Sequence, residues 1–184
     1  MTLTTHDFGD GFGAVPAHRH CSGGGWVADT AYVADTAYVG ALAQVYGEAR
    51  VYGSARVYGT ARVFDFAQVF GMARIYDVAR VYGEAQIYGE AYIYGAARVY
   101  GTTQVFGMTS VYGKARVAGE ARASRSPVVI AGGEYDVTIT DTHVQIGCMC
   151  HPLSWWRENP APEACPKLEE MRDAIVAIAE KHQK

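Results

Sequence analysis

Val45-Tyr46-Gly47-Glu48-Ala49-Arg50, Val51-Tyr52-Gly53-Ser54-Ala55-Arg56 and Val57-Tyr58-Gly59-Thr60-Ala61-Arg62 are one hexapeptide written three times in succession. Extended both ways, the same cut runs from Val27 to Arg122 without an insertion and yields sixteen hexapeptides. The first position is always Val or Ile, and the fifth is Ala except at Thr103 and Thr109. The third is Gly or Asp in every unit but one, where Ala41 stands. Gly and Asp tolerate positive φ, which assigns the corner of each unit to its third position. A short strand then runs through the fifth and sixth positions into the first and second of the next unit. Alternation along it sends Ala and Val inward and Arg and Tyr outward. A β-meander needs a turn about every 8 to 12 residues, which a strict period of six does not provide.

This period, with an aliphatic first position and a small fifth, resembles the hexapeptide repeat of left-handed β-helices, in which three units make one triangular coil. The resemblance covers about half the chain. It implies a mainly β protein: a left-handed parallel β-helix over residues 27–122, an N-terminal cap over 1–26 and a small α+β C-terminal cap over 123–184. The second position departs from that pattern, being mostly Tyr or Phe where the family has small or acidic residues. A β-helix must be plugged at both ends, because an open coil exposes its core and unpaired backbone. Phe8, Phe12 and Gly23-Gly24-Gly25-Trp26 mark the first plug. Arg125-Ser126-Pro127 breaks the period at the other end. Beyond it, Val128-Val129-Ile130, Tyr135 to Thr140 and His143 to Ile146 read as strands, with turns at Gly132-Gly133 and Asp141-Thr142. Lys167 to His182 reads as an amphipathic helix with Leu168, Met171, Ile175 and Ile178 on one face.

The 184 residues carry a formal charge of -3, so nucleic acid is not an expected partner. No apolar run is long enough to span a bilayer, and no basic segment followed by an apolar stretch opens the chain, so neither membrane insertion nor secretion is expected. The expected location is the cytoplasm. Cys21, Cys148, Cys150 and Cys165 all lie outside the array, without the density of a secreted disulfide framework, and read as reduced thiols.

Residues eighteen apart stack at the strand spacing of about 4.8 Å, so the outer faces can be written down. One face carries Gln44, Arg62, Arg80, Arg98 and Arg116 beside Tyr46, Phe64, Tyr82 and Tyr100. A second carries Gln68, Gln86 and Gln104 beside Tyr52, Phe70, Tyr88 and Phe106. The third carries Arg56 and Arg74 beside Tyr58, Tyr76, Tyr94 and Tyr112. Stacked rings, glutamine ladders and cation–π contacts can be purely structural. The same arrays can serve as contact surfaces, and both accounts stand at the level of sequence. Four stacked arginines without an acidic ladder call for a counter-charge from a ligand, a neighbouring subunit or the corner residues Glu48, Glu84, Glu90 and Glu120. The first candidate binding face is therefore Arg62, Arg80, Arg98 and Arg116 with Phe64, Tyr82 and Tyr100. Corner residues Phe66, Met72 and Val78, together with outward rings on every face, point to a homo-oligomer, either dimer or trimer.

Cys148-Met149-Cys150-His151, with Cys165 beyond, offers three thiols and an imidazole, but lacks the Cys-x-x-Cys spacing of most zinc sites. Cys148 and His151 could pair as nucleophile and base, although no third orienting group can be named. No metal, cofactor or catalytic residue is assigned; Cys148, His151 and Trp155 form the second candidate surface. Gly24-Gly25-Trp26-Val27, Val137 to Asp141, Ile146-Gly147-Cys148, His151 and Trp155 together resemble a family of hexapeptide-repeat proteins of phages and prophages. That resemblance implies an accessory role in a bacterial host cell and transfers no catalytic residue. Two functions follow: a non-enzymatic scaffold binding a protein or anionic small molecule, including an inhibitor of a host system, or a hexapeptide acyltransferase using acetyl-CoA. Such transferases resemble one another in using a histidine base near a loop between coils. Residues 27–122 contain no histidine and throw out no loop.

Overall fold

The structure is a computed structural model that describes residues 4–130, 135–147, 149–159 and 166–183. From Tyr32–Val33 to Arg122–Ala123 a two-residue strand recurs every six residues. Each strand pairs in parallel with the strand eighteen residues on: Arg62 lies opposite Arg80, Gln68 opposite Gln86 and Arg74 opposite Tyr92. The result is a β-solenoid whose stacked coils present three sheets. From Val39 onward the first-position Val and Ile are sealed inside, as are the fifth-position Ala residues. Each buried Val or Ile is worth about 1.5–3 kcal/mol over leaving it in water. Thr103 and Thr109 are equally buried, and their hydroxyls donate to the carbonyls of Tyr100 and Phe106 at 2.6 Å. Neither leaves an unsatisfied group in the core.

The corners fall at the third position, with φ near +67° at Gly83 and +64° at Gly113. Asp65 and Asp77 adopt the same conformation, and their carboxylates accept the amides of Gly83 and Gly95, one coil on, at 3.0 Å. The first coil departs from this expectation, since Asp29 and Asp35 do not take positive φ. The turns close more tightly there, with the amides of Ala31 and Ala37 donating to Ala28 and Ala34 at 2.9 Å, against 3.2 to 3.4 Å for the matching bonds of later coils. In later coils the corner carbonyl accepts an amide from the coil before, as Gly71 does from Ser54. The first coil has no parallel coil before it, so its corners are free to close differently. There the hydroxyls of Thr30 and Thr36 donate to Gly47 and Gly53.

Most amides between coils point the same way: Arg62 donates to Ala79 and Phe64 to Val81, both at 3.0 Å, while first-position amides point back, as Val39 does to Ser22 at 3.0 Å. The last coil is therefore left mainly with donors, and these must find acceptors. The C-terminal cap supplies one hydroxyl oxygen to each sheet. Thr138 accepts from Arg116 at 3.1 Å, Thr142 from Arg122 at 2.9 Å and Ser126 from Ser110 at 3.0 Å. At the other end, strands Thr5–Asp7 and Ala14–Arg19 form a hairpin laid antiparallel on Trp26–Ala28, extending the first sheet. The amide of Gly25 donates to Val39 at 2.8 Å and covers the third sheet's edge.

The C-terminal cap is an antiparallel sheet of Val128–Ile130, Val137–Ile139, His143–Ile146 and Met149–Pro152, with helices α1 (Leu153–Glu158) and α2 (Pro166–His182). The expected strand at 135–140 is shorter than its sequence suggests. The turn at Gly132-Gly133 and the side chains of Leu168 and Met171 lie outside the described residues. On α2, Ile175 and Ala179 enter the cap's core, whereas Ile178 is exposed, contrary to the expected face. Adjacent α-helical positions point about 100° apart, and Ala179 is the one that falls beneath Ile175. Among the described residues no helix is long and apolar enough to cross a membrane.

The corner glycines give a stability test. A Cβ on Gly83 would lie 2.9 Å from the Gly101 nitrogen, whereas one on Gly113, at nearly the same φ, meets nothing within 4 Å. Gly113→Ala should cost about 1–2 kcal/mol for the backbone conformation alone. Gly83→Ala should cost more, because the coil below must also move, and urea denaturation of the two variants reads the difference.

Candidate binding face

The register places Arg62, Arg80, Arg98 and Arg116 in one column, each directly opposite the next. At the strand spacing their Cα atoms span about 14 Å. Beside them Tyr46, Phe64, Tyr82 and Tyr100 stack with ring centroids 4.9 to 5.0 Å apart and planes within 4° of parallel. The two columns form one electrostatic unit. Arg98, Arg116 and Arg80 each pull the Tyr82 pKa down, although burial and Tyr100 leave it above its ordinary value. Burial raises the Tyr46 pKa, and Arg62 opposes it.

Among the described residues, none of these four arginines makes an ion pair with a carboxylate. Nor does any lie over a ring, unlike Arg56 over Tyr38, Arg74 over Tyr92 and Arg122 over Phe106 at 5.2 to 5.5 Å. The corner glutamates do not supply the missing counter-charge. Two unit charges about 4 Å apart in water repel by about 1 kcal/mol. A column of four is therefore tolerable in a stable fold, and an anion placed along it would recover that repulsion.

Both ends of the face are closed. At the N-terminal end Phe8 stacks on Tyr46 at 4.7 Å, and Arg19 lies 4.1 Å over Trp26. His6 stacks on Trp26 at 4.3 Å and meets the Gln44 amide at 3.2 Å. At the C-terminal end Gln145 donates to the Tyr100 hydroxyl at 3.1 Å. The rings are less exposed than their outward positions suggest, because stacking covers both faces of each; in the ladders only Tyr112 stays largely wet. Exposed apolar area sits instead at the fourth positions, including Phe66, Met72, Val78 and Met108.

A hollow on the coils lies away from the arginine column. It measures about 450 Å³ on the second face, between Thr30, Tyr32, Glu48, Arg50, Tyr52 and Gln68. A second of about 330 Å³ follows along the same edge, at Phe66, Gln68, Glu84 and Gln86. The period fixes which residues share a face but not how far their side chains fold down, so these hollows had no signature in the sequence.

Of the second candidate surface, Cys148 lies outside the described residues. His151 stacks on Trp155 at 3.9 Å, and Trp155 stands edge-on to Trp156. Trp156 is buried and donates to the Val144 carbonyl at 2.9 Å. The Cys150 thiol donates to the Ala118 carbonyl at 3.3 Å, and burial pushes its pKa up to about 11. A thiol held protonated is neither a ready nucleophile nor a ready metal ligand. Cys150 thus ties the cap to the last coil. Elsewhere among the described residues, His20, Cys21 and Asp35 bring ligand-type atoms together at the N-terminal end.

The profile of a family described as YdcK Beta solenoid repeat matches residues 43–59, from the end of the first coil through most of the second. The chain is thereby similar to a β-solenoid repeat. No curated protein and no solved structure matches it.

Burial lowers the pKa of His6, with Arg19 acting in the same direction, and burial likewise lowers His143 and His182. The unfolded chain therefore binds more protons than the folded one once pH falls below about 6.5, and stability must fall with it. The urea midpoint should drop between pH 7.5 and pH 5.5. His6→Gln should show a smaller drop over that interval.

Proposed function

We propose that this chain is a non-enzymatic accessory protein that uses a rigid solenoid to hold an anionic ligand or the acidic surface of a partner. The observation that carries this reading is the column Arg62, Arg80, Arg98 and Arg116, whose charge meets no described carboxylate. Guanidinium groups present paired donors suited to carboxylate and phosphate, and the rings of Phe64, Tyr82 and Tyr100 flank them. The column is set on paired strands, so binding need not order the backbone, and the cost is confined to the arginine rotamers. The phage-type setting, with inhibition of a host system as one form of the accessory role, belongs to this proposal and rests on the flanking motifs. The transferase reading has no comparable support, because the coils carry no histidine to act as base.

Arg80→Gln with Arg98→Gln tests the proposal directly. Wild type should bind a hexaglutamate peptide or inorganic tripolyphosphate in low salt, and binding should weaken as salt rises. The double variant should lose at least tenfold in affinity and keep its circular dichroism, since both side chains project away from the core. Equal binding by the two proteins would make the column structural.

Self-association is proposed alongside, on the exposed Phe66, Met72 and Val78 at the three corners. Light scattering should give a dimer or trimer of the 19.9 kDa chain. A monomer mass at tens of micromolar would reject it.

A further inference from the structure

The N-terminal end holds a cluster outside the arginine face. A ring nitrogen of His20, the Cys21 sulfur and an Asp35 carboxylate oxygen all lie within 4.8 Å of one another. They come from two segments: His20 and Cys21 follow the strand Ala14–Arg19, and Asp35 stands at the corner of the second hexapeptide. Cys21 Sγ and Asp35 Oδ1 are 3.9 Å apart. A tetrahedral zinc ion with about 2.3 Å to sulfur and about 2.1 Å to oxygen sets these atoms roughly 3.6 Å apart. A few tenths of an ångström of side-chain adjustment brings that pair to coordination distance.

His20 provides the independent observation. It is 5% exposed, and its Nε2 is buried with no hydrogen-bond partner. A buried polar atom left so costs about 1–3 kcal/mol and calls for an explanation. Its Nδ1 lies 3.1 Å from the Ser22 carbonyl and 3.2 Å from the Ser22 amide. In the tautomer whose Nδ1–H donates to that carbonyl, the Nε2 lone pair is left for an outside partner. Metal-binding histidines are commonly oriented in this way, one nitrogen on a backbone carbonyl and the other on the ion.

The frame around the cluster is rigid. A Cβ on Gly23 would collide with the Val39 carbonyl, and one on Gly25 with the Val39 side chain, so this loop packs directly on the next strand. Asp35 also behaves unlike the corner aspartates Asp65 and Asp77. Those spend their carboxylates on amides one coil on, whereas Asp35 faces the Cys21 thiol.

We propose that His20, Cys21 and Asp35 form a divalent transition-metal site of zinc type, with three protein ligands and one coordination position open to solvent. One thiolate, one imidazole and one carboxylate suit zinc or cobalt(II) and are a poor match for magnesium or calcium, which favour all-oxygen shells. Cys21 and Asp35 are exposed while His20 is not, so the open position faces outward. Binding must release the thiol proton and therefore weaken as pH falls.

The test is titration of the reduced, metal-free full chain with cobalt(II), followed by absorption. One equivalent should produce a near-ultraviolet thiolate-to-cobalt charge-transfer band, which zinc then displaces. Cys21→Ser should abolish that band, and Asp35→Asn should weaken binding more than tenfold. Because Cys21 and Asp35 are exposed, both variants should keep the wild-type circular dichroism. Zinc should raise the thermal midpoint of wild type and leave that of Cys21→Ser unchanged. Absence of the band in wild type overturns the proposal. So does its survival in Cys21→Ser, which would move the ion to another cysteine.

Discussion

Most of the amides that join one coil to the next point to the coil that follows, only those of the first-position Val and Ile pointing back, and much else in this molecule depends on that bias. The donor of Arg62 meets Ala79 and the donor of Arg80 meets Ala97, each seventeen residues on. A stack built this way has two chemically different ends, one left mainly with acceptors and one mainly with donors. The ends are closed by different means for that reason. The C-terminal cap brings the hydroxyl oxygens of Thr138, Thr142 and Ser126 to three unmatched amides, one on each sheet. The N-terminal hairpin meets the other end mainly with backbone, which closes the first sheet and brings a glycine-rich loop over the third. Among the described residues, no strand lies on the outer edge of Tyr32–Val33 in the second sheet.

The same register that satisfies the backbone forces like side chains onto like. For the aromatic columns this is favourable, since parallel rings about 5 Å apart bury one another and stiffen the face. For Arg62, Arg80, Arg98 and Arg116 it places like charges side by side with no described carboxylate to offset them. Each neighbouring repulsion, about 1 kcal/mol in water, is small beside the burial of Val63, Val81 and Val99 beneath them. The core thus tolerates a column that electrostatics alone would disfavour. The register keeps the four side chains rooted in one line, while each guanidinium remains free to change rotamer.

Departures from the repeat gather at its ends. The first coil has no parallel coil before it, and its corners close by tight turns that need no positive φ at Asp29 or Asp35. Freed from the role that Asp65 and Asp77 play, Asp35 faces Cys21 and the buried ring of His20. At the far end Cys150 is used up in joining the cap to Ala118. The two cysteines therefore differ in chemistry because of what surrounds them, Cys150 being buried and bonded while Cys21 is exposed beside two other ligand-type groups.

The sequence by itself determined the coils. With Val or Ile at every first position and a small residue at every fifth, only a turn after each strand keeps the apolar side inward, and a uniform period of six makes every pairing repeat identically. The arginine and aromatic columns follow by counting, and the structure lays them out in that order. The N-terminal hairpin was not legible, because Thr4 to Arg19 has no sustained alternation and pairs only when Trp26–Ala28 offers an edge. The strand Met149–Pro152 and helix α1 are similarly hidden, being short segments held by the core around Trp156. Only the tertiary structure decided the hollow beside Tyr32 and Arg50 and the meeting of His20, Cys21 and Asp35. Those features depend on how a loop folds back onto a corner fourteen residues away from Cys21, and periodicity carries information about neighbours in a repeat but none about a loop that lies outside it.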